Sequence, residues 1–280
     1  MAMKLTYDEL KEKSRLLRGD LLAMLFKAGS GHPGGSLSSM EILTVMYNNI
    51  MKHDPKNPKW EERDRFVLSK GHICPALYVV LADCGYFDRK ELGTLRRFGS
   101  ILQGHPYMMK TPGLDVSGGS LGQGLSVAVG MALAAKADKN GIRVFSLMGD
   151  GELQEGQIWE AVMAAGQYKL DNLCGIVDYN NLQIDGKVSD IMDIAPLAEK
   201  WSAFNWNVIK CDGHCVESVE RAFNEALAYE GKPSVIIADT VKGKGVSFME
   251  NNASWHGVSP NSEELAIALE ELDCKAVELC

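Results

Sequence analysis

Two apolar runs, each ending in a short polar residue, constrain this chain more than any other feature. Ile142 to Met148 is rich in β-branched and aromatic residues, and Gly149-Asp150-Gly151 turns the chain after it. A helical stretch from about Leu153 follows, then a second apolar run, Leu173 to Val177, which leads to Asp178-Tyr179-Asn180. Such runs predict buried strands. Strand, helix and strand in that order predict parallel neighbours, which places Asp150 and Asn180, thirty positions apart, on one carboxyl edge of a sheet. A carboxylate, an amide and a backbone carbonyl near Leu182 are the oxygen donors a hard cation takes. Gly151 has no side chain, so a diphosphate could approach the backbone at a helix N-terminus. The glycine pair alone fits an ordinary strand-to-helix turn equally well; Asn180 tips the reading toward a metal–diphosphate site.

The remaining pattern alternates. Helices are predicted at Leu5–Ala28, Leu37–Met51, Cys74–Cys84, Arg89–Phe98, Gly122–Ala137, Pro196–Phe204, Val216–Tyr229 and Asn261–Leu279. Strands are predicted at Phe66–Leu68, Asn207–Ile209 and Ser234–Ala238. Alternation of this kind predicts one α/β domain over residues 1–280, doubly wound, with a mainly parallel sheet and helices on both faces. The C-terminal helix occupies the 261–280 end.

Composition narrows the function. No apolar run reaches the roughly 18 residues of a membrane span, and Met1 to Arg18 has no apolar signal core. Seven cysteines, scattered and without a Cys-x-x-Cys, predict neither a disulfide framework nor a zinc cluster and fit a reducing cytoplasm. A net charge of −8 argues against nucleic acid as a partner. It also means that an anionic ligand must be held by local cations, metal and helix ends. Four of the six histidines, His32, His72, His105 and His256, sit in loops flanked by glycine or proline, where an α/β sheet binds ligands. His53 is expected at the surface and His214 in a turn.

These segments together resemble the transketolase family. Gly149-Asp150-Gly151 with Asn180 looks like the thiamine-diphosphate fingerprint, and Leu153-Gln154-Glu155-Gly156 and Ile184-Asp185-Gly186 resemble its transketolase form. Ser30-Gly31-His32-Pro33-Gly34-Gly35, Ser69-Lys70-Gly71-His72, Gln103-Gly104-His105-Pro106, Gly119-Ser120-Leu121-Gly122-Gln123-Gly124 and Trp255-His256-Gly257 match as well. Ser120 stands where a proline is expected. The resemblance covers about residues 10 to 260. It implies Mg2+, with Ca2+ or Mn2+ as substitutes, on Asp150, Asn180 and the Leu182 carbonyl. It implies thiamine diphosphate against His72, Gly119, Ser120, Leu121, Gly151, Asn180 and His256. His32, His105 and His256 would contact the sugar, with His32 and His256 as the proton-transferring catalytic pair, since imidazoles titrating near the operating pH suit that task. Glu160 would lie at a subunit interface, although a solvated helix face explains it nearly as well.

The implied reaction moves a two-carbon ketol unit from a ketose phosphate to an aldose phosphate. Only the first domain of the family is matched, so the expectation is the N-terminal subunit of a split transketolase. Its partner would be a C-terminal subunit carrying the pyrimidine-binding domain, in an α2β2 assembly. Three alternatives stay open at this point: the α subunit of a thiamine-dependent 2-oxoacid dehydrogenase, a non-catalytic cofactor-binding homologue, and a flavodoxin-like domain with accidental motifs.

Overall fold

Successive side chains along a strand leave the sheet on opposite sides, and here that alternation builds two separate cores. The computed structural model describes residues 4–274. In chain order it contains α1 (Tyr7–Ala28), α2 (Pro33–Ser38), α3 (Met40–Val45), β1 (Arg65–Leu68), α4 (Cys74–Cys84), α5 (Gln123–Asp138), β2 (Val144–Gly149), α6 (Gly156–Gln167) and β3 (Leu173–Tyr179). The small strands β4 (Leu182–Gln183) and β5 (Gly186–Lys187) follow, then α7 (Val188–Ile191), α8 (Leu197–Ala203), β6 (Asn207–Asp212), α9 (Val216–Ala228), β7 (Ser234–Asp239) and α10 (Ser262–Glu271). The main sheet has five strands in the order β1-β2-β3-β7-β6, and every neighbouring pair is parallel. All five strands therefore deliver their C-terminal loops to one edge.

Phe66, Leu68, Phe145, Leu147, Ile176 and Ile236 point to the side covered by α1, α3, α4 and α9. Val67, Val144, Met148, Val177, Val235 and Ile237 point to the side covered by α5, α6 and α8. The doubly wound, parallel α/β architecture expected from the sequence is what forms. No helix among the described residues is long and apolar enough to cross a membrane.

Local departures have local causes. The glycine-rich stretch after α1 is not all loop: Pro33 opens α2 at its first turn, where a proline's missing N–H is harmless. The helix expected over Leu37–Met51 is broken at Ser39 and ends in a π-turn, Met46–Ile50. The helix expected over Arg89–Phe98 is a 3-10 segment, Arg89–Thr94, capped by Asp88, and Arg96 beyond it is left-handed at φ 62°. After Asp150 the chain makes a 3-10 turn, Gly151–Gln154, before α6 begins at Gly156. α10 stops at Glu271 with Asp273 at φ 48°, short of the expected Leu279; positions 275–280 lie outside the described residues. His53 is half-buried rather than at the surface. Its Nε2 donates to the Tyr47 carbonyl at 2.6 Å and its Nδ1 is 3.0 Å from the Tyr86 hydroxyl.

The α6–α8 crossing depends on Gly166, where a Cβ would collide with the Phe204 carbonyl oxygen. Gly166→Ala is expected to lower stability by about 1–3 kcal/mol, the usual cost of overpacking a tight contact. Gly130→Ala on α5, with open space around the added methyl, should be neutral or stabilising by up to about 1 kcal/mol. Urea unfolding of the two variants checks the contrast, and equal effects would show that the crossing tolerates a side chain.

Candidate active site

The carboxyl edge of the sheet carries a cleft of about 290 Å³, lined among others by Lys70, His72, Asp150, Asn180, Lys242 and His256. A wider hollow of about 420 Å³ lies around Arg143 and Tyr229, at the opposite, N-terminal edge. It holds none of the motif residues, so the chemistry belongs to the smaller cleft.

Beneath the cleft lies a buried ion pair. Lys70, in the loop after β1, bonds to Asp178 near the end of β3, and both side chains are almost fully buried. Asp178 Oδ2 also accepts from Ser38 at 2.6 Å, Ser39 at 3.2 Å and Asn180 Nδ2 at 3.1 Å, and Oδ1 accepts from Thr240. Burial would raise the Asp178 carboxyl, but Lys70 and these donors bring it down to about 2. A second buried carboxylate, Glu152, ties three loops together: it accepts from Ser69, from Gly122 N–H at 2.9 Å and from Gly149 N–H at 3.1 Å.

Above the floor lie the expected metal donors. Asp150 is 2% exposed. Its two oxygens accept from the backbone N–H groups of Gly151, at 2.7 Å, and Asn181. Burial, and then the neighbouring Asp178, raise its carboxyl to about 6. Asn180 Oδ1 accepts from Leu182 N–H at 3.1 Å, and the Leu182 carbonyl accepts from Lys242 Nζ at 3.0 Å. The structure thus brings Asp150, Asn180 and Leu182 together. The donor set of one carboxylate, one amide oxygen and one carbonyl fits a hard divalent ion that takes its other ligands from phosphate and water. Among the described residues no group of three or more His, Cys, Asp or Glu could hold a metal. Gly151 lines the cleft with only 3.1 Å from its missing Cβ to Gln183 Cβ, so the space there exists because it is glycine. Gly151 opens the 3-10 turn Gly151–Gln154, and its N–H donates to Asp150 Oδ1.

Three of the four loop histidines meet. Ring centroids of His32, His72 and His256 are 5.1, 5.3 and 5.6 Å apart pairwise. Burial, then Arg96, lowers His32 to about 4, and burial, then Lys242, lowers His256 to about 3. Burial and Lys70 lower His72 as well. Each ring is thus pushed toward its neutral form in the chain alone. Lys242 Nζ is 3.0 Å from His256 Nδ1; with the ammonium donating, the ring proton sits on Nε2. His32 Nδ1 is buried without a hydrogen-bond partner. His105 is exposed at the rim beside Gly119, and Leu121 lines the cleft while Ser120 does not. Glu160 is exposed on α6.

Sequence reasoning assigned no role to Lys70, Asp178, Glu152 or Lys242. Lys242 had a signal, a Lys-Gly-Lys-Gly stretch fourteen residues before His256. It is buried inside the cleft, and burial together with Lys70 lowers its ammonium to about 8.

Comparison with known proteins places this geometry. The family described as transketolase, thiamine diphosphate binding domain, matches residues 8–277. The chain belongs to the transketolase family, as its N-terminal, thiamine-diphosphate-binding part. It is 46% identical over 265 residues to the 6-deoxy-6-sulfo-D-fructose transketolase subunit SqwG of Clostridium sp. (strain MSTE9), covering 95% of this chain and 96% of that one. It is also 46% identical over 265 residues to an apulose-4-phosphate transketolase subunit of Phocaeicola vulgatus, covering 95% and 94%. The solved transketolase of Campylobacter jejuni superposes with a TM-score of 0.92 at 35% identity, over 99% of this chain and 44% of that one. The chain thus spans nearly all of relatives named as subunits, and less than half of that full-length transketolase chain. The family assignment displaces the flavodoxin-like alternative, and the 2-oxoacid dehydrogenase reading is not better supported.

Removing one member of a buried ion pair leaves the other charged and unpaired, at a cost of roughly 3–5 kcal/mol. Lys70→Met should therefore destabilise the chain by about that amount in urea unfolding, and adding Asp178→Asn should restore much of it. A loss below about 1 kcal/mol, the size of a surface pair, would mean that the pair does not anchor the floor.

Proposed function

We propose that the cleft binds thiamine diphosphate through a divalent metal ion, and that the chain performs ketol transfer as one subunit of a two-part transketolase. The observation that carries this is the meeting of Asp150, Asn180 and the Leu182 carbonyl beside Gly151 and Lys242. Asp150, Asn180 and Leu182 hold Mg2+, with Ca2+ or Mn2+ able to replace it. When bound, thiamine diphosphate supplies an electron sink for the carbanion of a two-carbon unit.

The residues of the chain do the rest. Two donors of the Lys242 ammonium go to Leu182 and His256, and the third would be free to hold the diphosphate. His72 and Leu121, which line the cleft, pack along the cofactor, while Gly119 and Ser120 stand outside its lining. His256 offers its Nε2 proton to a substrate oxygen, and His32 takes a hydroxyl proton. His105, at the rim, reads a sugar hydroxyl. An anion brought into the cleft favours the charged form of each ring, opposing the depression that burial causes and moving His32 and His256 toward the operating range.

The partner is a C-terminal subunit carrying the pyrimidine-binding domain, in an α2β2 arrangement that closes by two-fold symmetry. Relatives of nearly equal length are named as transketolase subunits, which supports this. Ile184, 65% exposed, and Leu121, 37% exposed, border the cleft and suit a covering surface. The site of action is the cytoplasm, where free thiols such as the six described here persist.

Asp150→Ala should abolish Mg2+-dependent thiamine diphosphate binding in calorimetry; unchanged affinity would sink the metal assignment. The chain alone should transfer no glycolaldehyde unit from a ketose phosphate to an aldose phosphate, and mixing with the partner subunit should restore transfer. In the mixed enzyme, His256→Ala should lower kcat/KM by about 10²–10⁴-fold, the range of one acid–base group. Robust turnover by the chain alone would refute the two-part reading.

A further inference from the structure

Behind the cleft a second buried ion pair reaches the same catalytic segment from the other side. Arg18 of α1 grips Glu41 of α3 with two bonds, 2.6 and 2.7 Å, and donates to the Lys244 and Leu37 carbonyls at 3.1 Å each. Glu41 Oε2 is also 3.0 Å from His214 Nδ1. Burial alone would raise Glu41, but Arg18 and His214 hold it down to about 2, so it is a carboxylate and can only accept. His214 Nδ1 must then carry a proton. On the other side of the ring, Val241 N–H donates to Nε2 at 2.8 Å, so Nε2 must not. The two neighbours fix one neutral tautomer.

Val241 is the residue before Lys242. The same short segment is held by Thr240 on Asp178, by Gly243 N–H on the Gly34 carbonyl at 2.9 Å, and by the Lys244 carbonyl on Arg18. His214 is not among the residues lining the cleft. It was expected to be only a turn residue, yet it is the side chain that takes up the N–H next to the cleft's ammonium.

We propose that His214 is a positioning residue of the cofactor site: fixed by Arg18 and Glu41 in its Nδ1–H form, it holds Val241 and so sets where the Lys242 ammonium meets the diphosphate and His256. The inference rests on the diphosphate reading of the cleft and adds a residue outside it. The logic is that of an outer shell around a binding group, in which a partner that touches no ligand fixes the orientation of one that does.

Two measurements on the full chain test it. Long-range proton–nitrogen NMR of histidine-labelled protein, with His214 assigned from the spectrum of His214→Gln, should show the Nδ1–H form; an Nε2–H or doubly protonated ring overturns the proposal. Calorimetric titration with thiamine diphosphate and Mg2+ should show about tenfold weaker binding for His214→Leu. His214→Gln, whose side-chain carbonyl can accept the Val241 N–H, should bind like the wild type. In a Lys242→Met background His214→Leu should add no further loss, which a general loss of stability would not reproduce. Equal losses in the Leu and Gln variants, wild-type binding by His214→Leu, or a further tenfold loss in the Lys242→Met background would each overturn it. Failure of the wild type to bind cofactor, or unimpaired binding by Asp150→Ala, is instead failure of the cleft reading, and is recognised as such because the tautomer measurement does not depend on the ligand.

Discussion

One carboxylate, Asp178, fixes where the parts of the cleft stand. It lies near the end of the central strand β3 and is 0% exposed. In that position it cannot be hydrated, and an unsolvated charge is tolerated only when paired and hydrogen-bonded. Its partners come from the loop after β1, the end of α2, the junction before α3, the loop after β3 and the loop after β7. Each of those segments has a reason to be where it is because Asp178 is there. Among them is Asn180, whose amide nitrogen is turned toward Asp178, which leaves its oxygen on the side of Leu182 and Asp150. The orientation of a candidate metal ligand is thus decided by a residue that does not line the cleft.

The same centre explains how an acidic chain hosts an anion site. The net charge of −8 gives no help at long range, where surface charges are screened within about 10 Å in ordinary salt. Within the cleft the balance is different. Lys70 lies close enough to disfavour the charge on Lys242, and these ammonium groups add to the burial that lowers the His72 and His256 rings. A buried cation pair of this sort is tolerable because Asp178 neutralises one member and leaves the other facing the open side.

Much of this was legible in the sequence, and what was missed has a common cause. The strand ends at Asp150 and Asn180 announced themselves because strand and turn signals are local, and the parallel crossover follows from them. The histidine loops were visible because glycine and proline mark loops. Asp178 and Glu152 were not, since each follows or flanks a motif and looks like an ordinary polar residue at an element's end. Their burial depends on loops up to 140 positions away, and no local pattern carries that. The fragmentation of the helix after His32 and the 3-10 turn after Asp150 were hidden for a related reason. In both places the backbone bends to satisfy a contact with another loop, and tertiary context overrides helical propensity. The depression of the histidines was not legible either, because composition says nothing about how deeply a loop residue is buried or which cations share its pocket.

Asp150 and Lys242 carry the two strained charges of the cleft. Each is an ion in a site that disfavours it: burial and Asp178 raise the carboxyl to about 6, and burial and Lys70 lower the ammonium to about 8. They do not relieve each other by direct pairing, because Asp150 is bonded to backbone N–H groups and Lys242 to Leu182 and His256. Two charges of opposite sign, each disfavoured by its surroundings and held apart in one cleft, suit a ligand that is itself a charge pair. On the proposed reading, a dication relieves Asp150 and a diphosphate relieves Lys242, while dication and diphosphate bind one another. Each half of the ligand then improves the site for the other, a coupling that by linkage must be equal in both directions. On that reading neither a free metal ion nor a free diphosphate satisfies both charges, so the electrostatics of the cleft would favour the metal complex over either of its parts.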